Sequence, residues 1–251
     1  MKIIIAKDYS EMSEIAANLL IETVQSNPKS VLGLATGSTP QGMYQKIVEA
    51  YNNGEVDFSQ VETFNLDEYV GLPGSHPQSY QYFMDKNLFD FVNIPKENTH
   101  VPSGIAKDME SACSRYDKSI EKAGGIDVQI LGIGNNGHIG FNEPAEQLQV
   151  GTHITDLTED TIKANSRFFN TPEEVPVQAV TMGIATIMKA RKIILLASGS
   201  SKAQIIEKLA EGTINTLIPA SLLQVHSDVT VIVDREAGEL ISREANLMVM
   251  Q

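Results

Sequence analysis

Cysteine is almost absent from this sequence. Cys113 stands alone, which excludes an internal disulfide and any CxxC metal or redox motif and makes a reducing compartment the simplest expectation. Basic residues are scarce as well: 19 Lys and Arg face 32 Asp and Glu, a formal charge of −13. Such a surface repels a polyanion at long range, so no nucleic-acid partner is expected. Long apolar runs are missing too. The first, Ile3-Ile4-Ile5-Ala6, meets Lys7 and Asp8 at once and is too short for a secretory h-region, and no stretch approaches the roughly 20 apolar residues of a membrane span. Solenoid repeats, low-complexity tracts and linker-like runs do not occur. What is there is an acidic chain of 251 residues, and a chain of this length buries roughly 70–75% of its unfolded surface without staples. The expectation is a single domain over residues 1–251, cytoplasmic and without a membrane partner.

Short apolar runs alternate with helical patterns, as when crossover helices cover a parallel sheet. Strands are expected at Lys2 to Ala6, Val31 to Ala35, Val61 to Asn65, Ile126 to Ile133, Ile193 to Ala197 and Val229 to Val233. Several lack alternation, as strands buried on both faces do. Between them Met12, Ala16, Leu19, Leu20 and Val24 fall at helical spacing, as do Met43, Tyr44, Ile47, Val48 and Tyr51. Thr39 and Pro40 are the expected N-cap and first residue of that second helix. The fold class is therefore α/β, a Rossmann-like parallel sheet with helices on both faces. Between Pro144 and Pro176 the pattern weakens, and this polar stretch is read as a loop-and-helix excursion over the sheet edge, a candidate lid.

In open parallel sheets ligands sit at the carboxyl ends of the strands, and four polar clusters fall there. Thr36-Gly37-Ser38-Thr39-Pro40 leads from a strand into a helix, where backbone N–H groups and the helix dipole favour an anion such as phosphate; an N-capped turn without a ligand explains the same residues. Ser198-Gly199-Ser200-Ser201-Lys202 repeats the arrangement, but with a cation at the helix start, opposed by the dipole by roughly 0.3–1 kcal/mol. An anion held between Lys202 and the loop amides removes that conflict, and an exposed lysine tolerates it. Arg167 offers a bidentate fork that could close such a cage, or a solvated surface charge.

Asp67-Glu68-Tyr69 puts carboxylates at a third strand end. A carboxylate raised in pKa by a closed site can take a proton α to a carbonyl, whereas acidic pairs on exposed turns are common and need no function. The fourth cluster, Gly132 to Pro144, reads GIGNNGHIGFNEP. Its glycines make a tight turn that presents His138 and, five residues later, Glu143, a carboxylate able to orient and hold charge on the ring. A metal held by Asp67, His138 and Glu143 would need a spacing such as HxxxH or HExxH, which is absent.

LGLATGSTP (32–40), FNLDEYVGL (64–72), GIGNNGHIGFNEP (132–144), NSRFF (165–169) and GSSKA (199–203) together resemble the glucosamine-6-phosphate deaminase family, in its order and over essentially the whole chain. The resemblance implies conversion of glucosamine 6-phosphate and water into fructose 6-phosphate and ammonia in amino-sugar catabolism, with no metal or redox cofactor. It implies Asp67 as the base between C2 and C1, and His138, held by Glu143, as the acid/base of ring opening. It also implies a phosphate site of Gly37, Ser38 and Thr39 with Arg167 and Lys202. Where many members carry Asp, this chain has Asn136, able to hydrogen-bond the ring but not to support an imidazolium by charge. Regulated hexameric members carry basic residues in the stretch matching Gly151 to Thr155 and a longer C-terminal tail. His153, Thr155 and an end at Gln251 imply an unregulated enzyme, a monomer or small homo-oligomer.

Three rival readings remain. A 6-phosphogluconolactonase resembles the chain in its phosphate loop and histidine turn but typically lacks the following Glu. Sugar-phosphate-binding domains of transcriptional regulators carry an N-terminal helix-turn-helix, where this sequence begins with a strand. An acidic interaction domain would make five ordered motifs a coincidence.

Overall fold

The structure is a computed structural model and describes residues 1–166, 169, 171 and 174–241. Its centre is a seven-stranded sheet, all parallel, built from β1 (Lys2–Ile5), β2 (Val31–Leu34), β3 (Glu62–Asn65), β5 (Thr99–His100), β6 (Val128–Leu131), β9 (Lys192–Ala197) and β10 (Val229–Val233). Every residue of β2, β6 and β10 is buried, which requires cover on both faces and accounts for their unalternating apolar sequences. The cover includes α1 (Tyr9–Ser26), α2 (Ser38–Asn52), α4 (Met109–Lys122) and α6 (Ala203–Ala210). Along α1 the residues Met12, Ala16, Leu20 and Val24, four apart, form its buried stripe, and Asp8 caps it by accepting from the Glu11 amide at 2.9 Å.

Strand order is β1-β10-β9-β6-β2-β3-β5. From β2 the chain steps outward through β3 to β5, then crosses back to β6 and steps the other way through β9 to β10. The direction reverses between β2 and β6, so the crevice at their carboxyl ends is the topological switch point, the ligand position of such sheets.

A second sheet stands apart: β4 (Asp67–Tyr69), β8 (Gln178–Thr181) and β7 (His153–Asp156), antiparallel in the order β4-β8-β7. This corrects the reading of residues 144–176 as loop and helix. The segment contributes strand β7 before its helix α5 (Glu159–Ser166). Asp67-Glu68-Tyr69 is likewise no exposed turn but a buried strand. The small sheet rests on its own apolar cluster of Tyr69, Phe141, Leu157 and Ala179, with Leu72, Tyr80, Ile162 and Phe169 around it. The cluster ties together the aspartate strand, the histidine turn and the candidate lid. Asp117 of α4 anchors the start of β7, accepting from the Thr152 amide at 2.9 Å and from the hydroxyls of Thr152 at 2.5 Å and Thr186 at 3.0 Å.

Candidate active site

The loop after β2 turns through Gly37, whose φ of +96° suits glycine and strains any L side chain. Gly37 itself is the N-cap, so α2 begins at Ser38 rather than with Thr39 as cap, and no side chain caps it. The hydroxyls of Ser38 and Thr39 form no hydrogen bond among the described residues. The first turn is propped from outside: the Tyr9 hydroxyl donates to the Ser38 carbonyl and accepts from the Gly42 amide, both at 2.8 Å.

The loop after β9 is a different object. Gly199 again has positive φ, +90°, but its amide donates to the buried Asp234 carboxylate, which also accepts from the Ser198 hydroxyl at 2.5 Å and the Ala237 amide at 2.8 Å. An internal carboxylate therefore occupies the Gly199 amide that the sequence reading offered to an external anion. Lys202 is oriented from the switch point instead: its Nζ donates to the Ile133 carbonyl, just beyond β6, at 2.7 Å. Burial pulls its pKa below the ordinary lysine value. An ammonium has three donors, so two remain for a ligand at the crevice. Arg167 lies outside the described residues.

After β6 the chain makes its glycine-rich turn. The Gly134 amide donates to the His138 carbonyl at 2.9 Å, and the imidazole lies directly over Gly134, where an added Cβ would come within 2.3 Å of the ring. His138 Nδ1 is 3.2 Å from Glu143 Oε1, an ion-pair distance off the line of a straight hydrogen bond. Glu143 is further held by Asn136 Nδ2 on Oε2 at 2.7 Å and by the Thr161 hydroxyl on Oε1 at 2.9 Å. Burial alone would raise its pKa, but His138, Asn136 and Thr161 together outweigh burial and hold it at about 2. Asn136 thus does not bond the ring, as the sequence reading allowed. Its amide serves Glu143, and its Oδ1 accepts from the His138 backbone N–H at 3.2 Å.

Asp67 is the opposite case. It opens β4 directly across from Thr181 of β8, and the Thr181 hydroxyl accepts from the Phe141 amide at 3.0 Å, which fastens the histidine turn beside it. Gly140, with φ of +57°, lies against it: a Cβ there would come 3.7 Å from Asp67 Oδ2. The side chain is only 7% exposed and accepts no hydrogen bond among the described residues. Burial, aided by the charge of Glu68, pushes the carboxyl up to about 8. Its neighbour Glu68 is structural, accepting the amides of Tyr69, Tyr80 and Gln81 at 2.8, 2.9 and 3.0 Å and so capping α3 (Tyr80–Asn87).

Sequence reasoning missed Thr161, Thr181 and Asp234. Only Thr161 left a signal, as the second hydroxyl of a Thr-x-x-Thr pattern at a helix start. Among the described residues no group of His, Cys, Asp and Glu is arranged to hold a metal ion.

A parallel sheet with a buried, unpaired carboxyl and a carboxylate-held imidazole at its switch point defines an acid/base enzyme of the doubly wound class. The chain belongs to the family described as glucosamine-6-phosphate isomerases/6-phosphogluconolactonase, which it matches over residues 7–232. Among curated relatives, the glucosamine-6-phosphate deaminase of Thermoanaerobacter sp. (strain X514) is 57% identical over 244 residues, covering 97% of this chain and 96% of that protein. The glucosamine-6-phosphate deaminase of Clostridium perfringens (strain 13 / Type A) is 55% identical over 241 residues, covering 96% and 100%. Among solved structures, a monomeric glucosamine-6-phosphate deaminase superposes with a TM-score of 0.93 at 44% identity, covering 96% of this chain and all of that one. The 6-phosphogluconolactonase of Trypanosoma brucei shares the fold, with a TM-score of 0.76 at 20% identity and coverage of 96% and 98%.

Proposed function

We propose that the chain converts glucosamine 6-phosphate and water into fructose 6-phosphate and ammonia. The carrying observation is the pair of oppositely tuned carboxyls at one sheet edge, Asp67 near 8 and Glu143 near 2, because isomerisation with ring opening asks for two separate acid/base tasks. Supporting it, relatives at 55–57% identity over nearly the whole chain carry the deaminase name, while the lactonases resemble it at about a fifth identity.

His138, steadied by the ionised Glu143, moves the proton from the C1 hydroxyl to the ring oxygen, opening the pyranose to an aldehyde. Asp67 takes the C2 proton while the substrate's ammonium gives up one proton to O1, leaving a neutral enolamine, and Asp67 then returns its proton to C1. The resulting C2 iminium adds water; the carbinolamine expels ammonia, and the water oxygen stays as the C2 ketone. No step calls on a metal or an electron carrier. A carboxyl that titrates near 8 holds its proton in the empty site at neutral pH. The ammonium of the incoming amino sugar, seated beside it, favours the ionised form and so readies the base for this substrate. The phosphate is held by Gly37, Ser38 and Thr39 with Lys202 and Arg167.

In this reading the chain is one catalytic domain of the cytoplasm, with residues 144–176 as its lid, working as a monomer or small homo-oligomer; the likeness to a monomeric deaminase supports the last point. Among the described residues no helix is long and apolar enough to cross a membrane. Incubation with glucosamine 6-phosphate should release ammonia and fructose 6-phosphate in equal amounts, and hydrolysis of 6-phosphogluconolactone without ammonia release would overturn the proposal. Lys202→Ala should raise KM for glucosamine 6-phosphate roughly 10- to 100-fold, the worth of one charged hydrogen bond, and barely alter use of unphosphorylated glucosamine.

A further inference from the structure

We propose that Thr161 of α5 is a positioning residue for the His138–Glu143 pair, acting through Glu143 and required for ring opening rather than for substrate capture. The inference rests on the deaminase reading above.

The geometry fixes the direction of every hydrogen bond in the chain. A carboxylate held near 2 is ionised and can only accept, so the Thr161 hydroxyl, 2.9 Å from Glu143 Oε1, must donate to it. Its lone pairs then face the Thr158 hydroxyl, which donates at 3.0 Å, and Thr158 in turn accepts from the Thr161 amide at 3.3 Å. The backbone closes the same turn, since the Ile162 amide donates to the Thr158 carbonyl at 2.9 Å. Thr158 therefore orients Thr161, and Thr161 orients the oxygen of Glu143 that lies 3.2 Å from His138 Nδ1. Glu143 otherwise has Asn136, which belongs to the same turn as the histidine. Thr161 is the donor that comes from outside that turn, on a helix that Ile162 packs against the cluster of Tyr69 and Phe141. With both oxygens pinned from opposite sides, the carboxylate cannot rotate away from the imidazole. Without Thr161, Oε1 keeps only the off-line contact to His138.

The test compares Thr161→Val, which keeps the shape and removes the hydroxyl, with Thr161→Ser, which keeps the hydroxyl. Both are assayed for ammonia release and for binding of the open-chain analogue 2-amino-2-deoxyglucitol 6-phosphate, alone and combined with Glu143→Gln. Thr161→Val should lower kcat about 10-fold with the analogue's Kd unchanged, Thr161→Ser should stay within about two-fold of the parent, and Thr161→Val should cost nothing further on a Glu143→Gln background. An equal loss on that background would overturn the proposal, as would an unchanged kcat, a Thr161→Ser variant as poor as Thr161→Val, or a weakened Kd accounting for the whole effect. If the parent itself releases no ammonia, it is the deaminase reading that fails; if the parent turns over and Thr161→Val matches it, only the positioning role does.

Discussion

Asp67, at the start of β4, and Glu143, in the turn after β6, carry the same functional group beyond the carboxyl ends of the same sheet, yet one is held near 8 and the other near 2. Burial acts in the same direction on both. The difference lies in donors: Glu143 receives hydrogen bonds from Asn136 and Thr161 and an imidazole at 3.2 Å, whereas Asp67 accepts none and faces the charge of Glu68. A carboxylate that must stay charged is surrounded with donors, and one that must take up and release a proton is denied them. Glu68 bounds the point: it is buried beside Asp67, and burial still raises its pKa although three backbone amides pull the other way. Neutral amides alone therefore do not do for it what the imidazole, Asn136 and Thr161 do for Glu143.

The largest effect should come from removing the base. Asp67→Asn should cut ammonia release roughly 10²- to 10⁴-fold, the usual worth of a placed acid/base group, and stop exchange of the C2 proton with solvent, while the open-chain analogue still binds. Retained exchange, followed by NMR in deuterated water, would end the assignment. In the parent, kcat/KM should rise with pH toward about 8 as the free-enzyme carboxyl ionises.

Next comes Glu143→Gln, which keeps the shape and removes the charge. Its kcat should fall about 10- to 100-fold, less than that of Asp67→Asn, because the imidazole remains in place above Gly134. A fall equal to that of Asp67→Asn would mean that the two carboxyls act as one unit rather than in separate steps.

A third measurement needs no substrate. The folded pKa of Asp67, about 8, lies above the ordinary aspartate value of 3.8 that the unfolded chain shows, so between these values the native state binds more protons than the unfolded one. The parent's stability should therefore decline as pH rises through this window, and Asp67→Asn should escape the decline. The two melting temperatures should lie close together near pH 4 and separate by several degrees in favour of the variant by pH 9, since about 1 kcal/mol moves a chain of this size roughly 2–4 °C. Thermal melts showing no separation would place Asp67 among ordinary, well-solvated carboxylates.

How much of this contrast could be read from residues alone follows from its physical origin. Six of the seven parallel strands are legible, because burial writes an apolar run such as Val31 to Leu34 or Val229 to Val233, whereas β5, two half-buried residues at the sheet edge, carries no such run and leaves no signal. The second sheet is not legible: DEY, HITD and QAVT are short and half polar, and they gain strand geometry only by pairing with one another, β4 with β8 across more than a hundred residues. That pairing buries Asp67, so the residue is visible in the sequence but its perturbation is not. The histidine turn shows itself through its glycines, as local geometry does. Two of the three amides that Glu68 accepts come from 12 and 13 residues away, and the hydroxyl that holds Glu143 comes from 18. Asp234 takes the Gly199 amide from 35 residues on, which is why two Gly-Ser loops of like sequence differ in which of their amides stay free.

The smallest expected effect isolates a single donor. Asn136 Nδ2 reaches Glu143 Oε2 at 2.7 Å, and Asn136→Ala removes that bond while leaving Thr161 and the imidazole on Oε1. One hydrogen bond to a charged group is worth about 1.5–3 kcal/mol when its partner is left buried and unpaired. Asn136 is exposed, however, so water can take its place and most of that loss is recovered. A kcat reduction of about two- to five-fold is therefore expected, together with a small rise in the pKa of Glu143 from its value near 2, measurable by carbon-13 NMR of the carboxyl. If Asn136→Ala instead matches Glu143→Gln, donor supply rather than charge is what Glu143 contributes to the imidazole, and the contrast with Asp67 would have to be rewritten as one of rigidity.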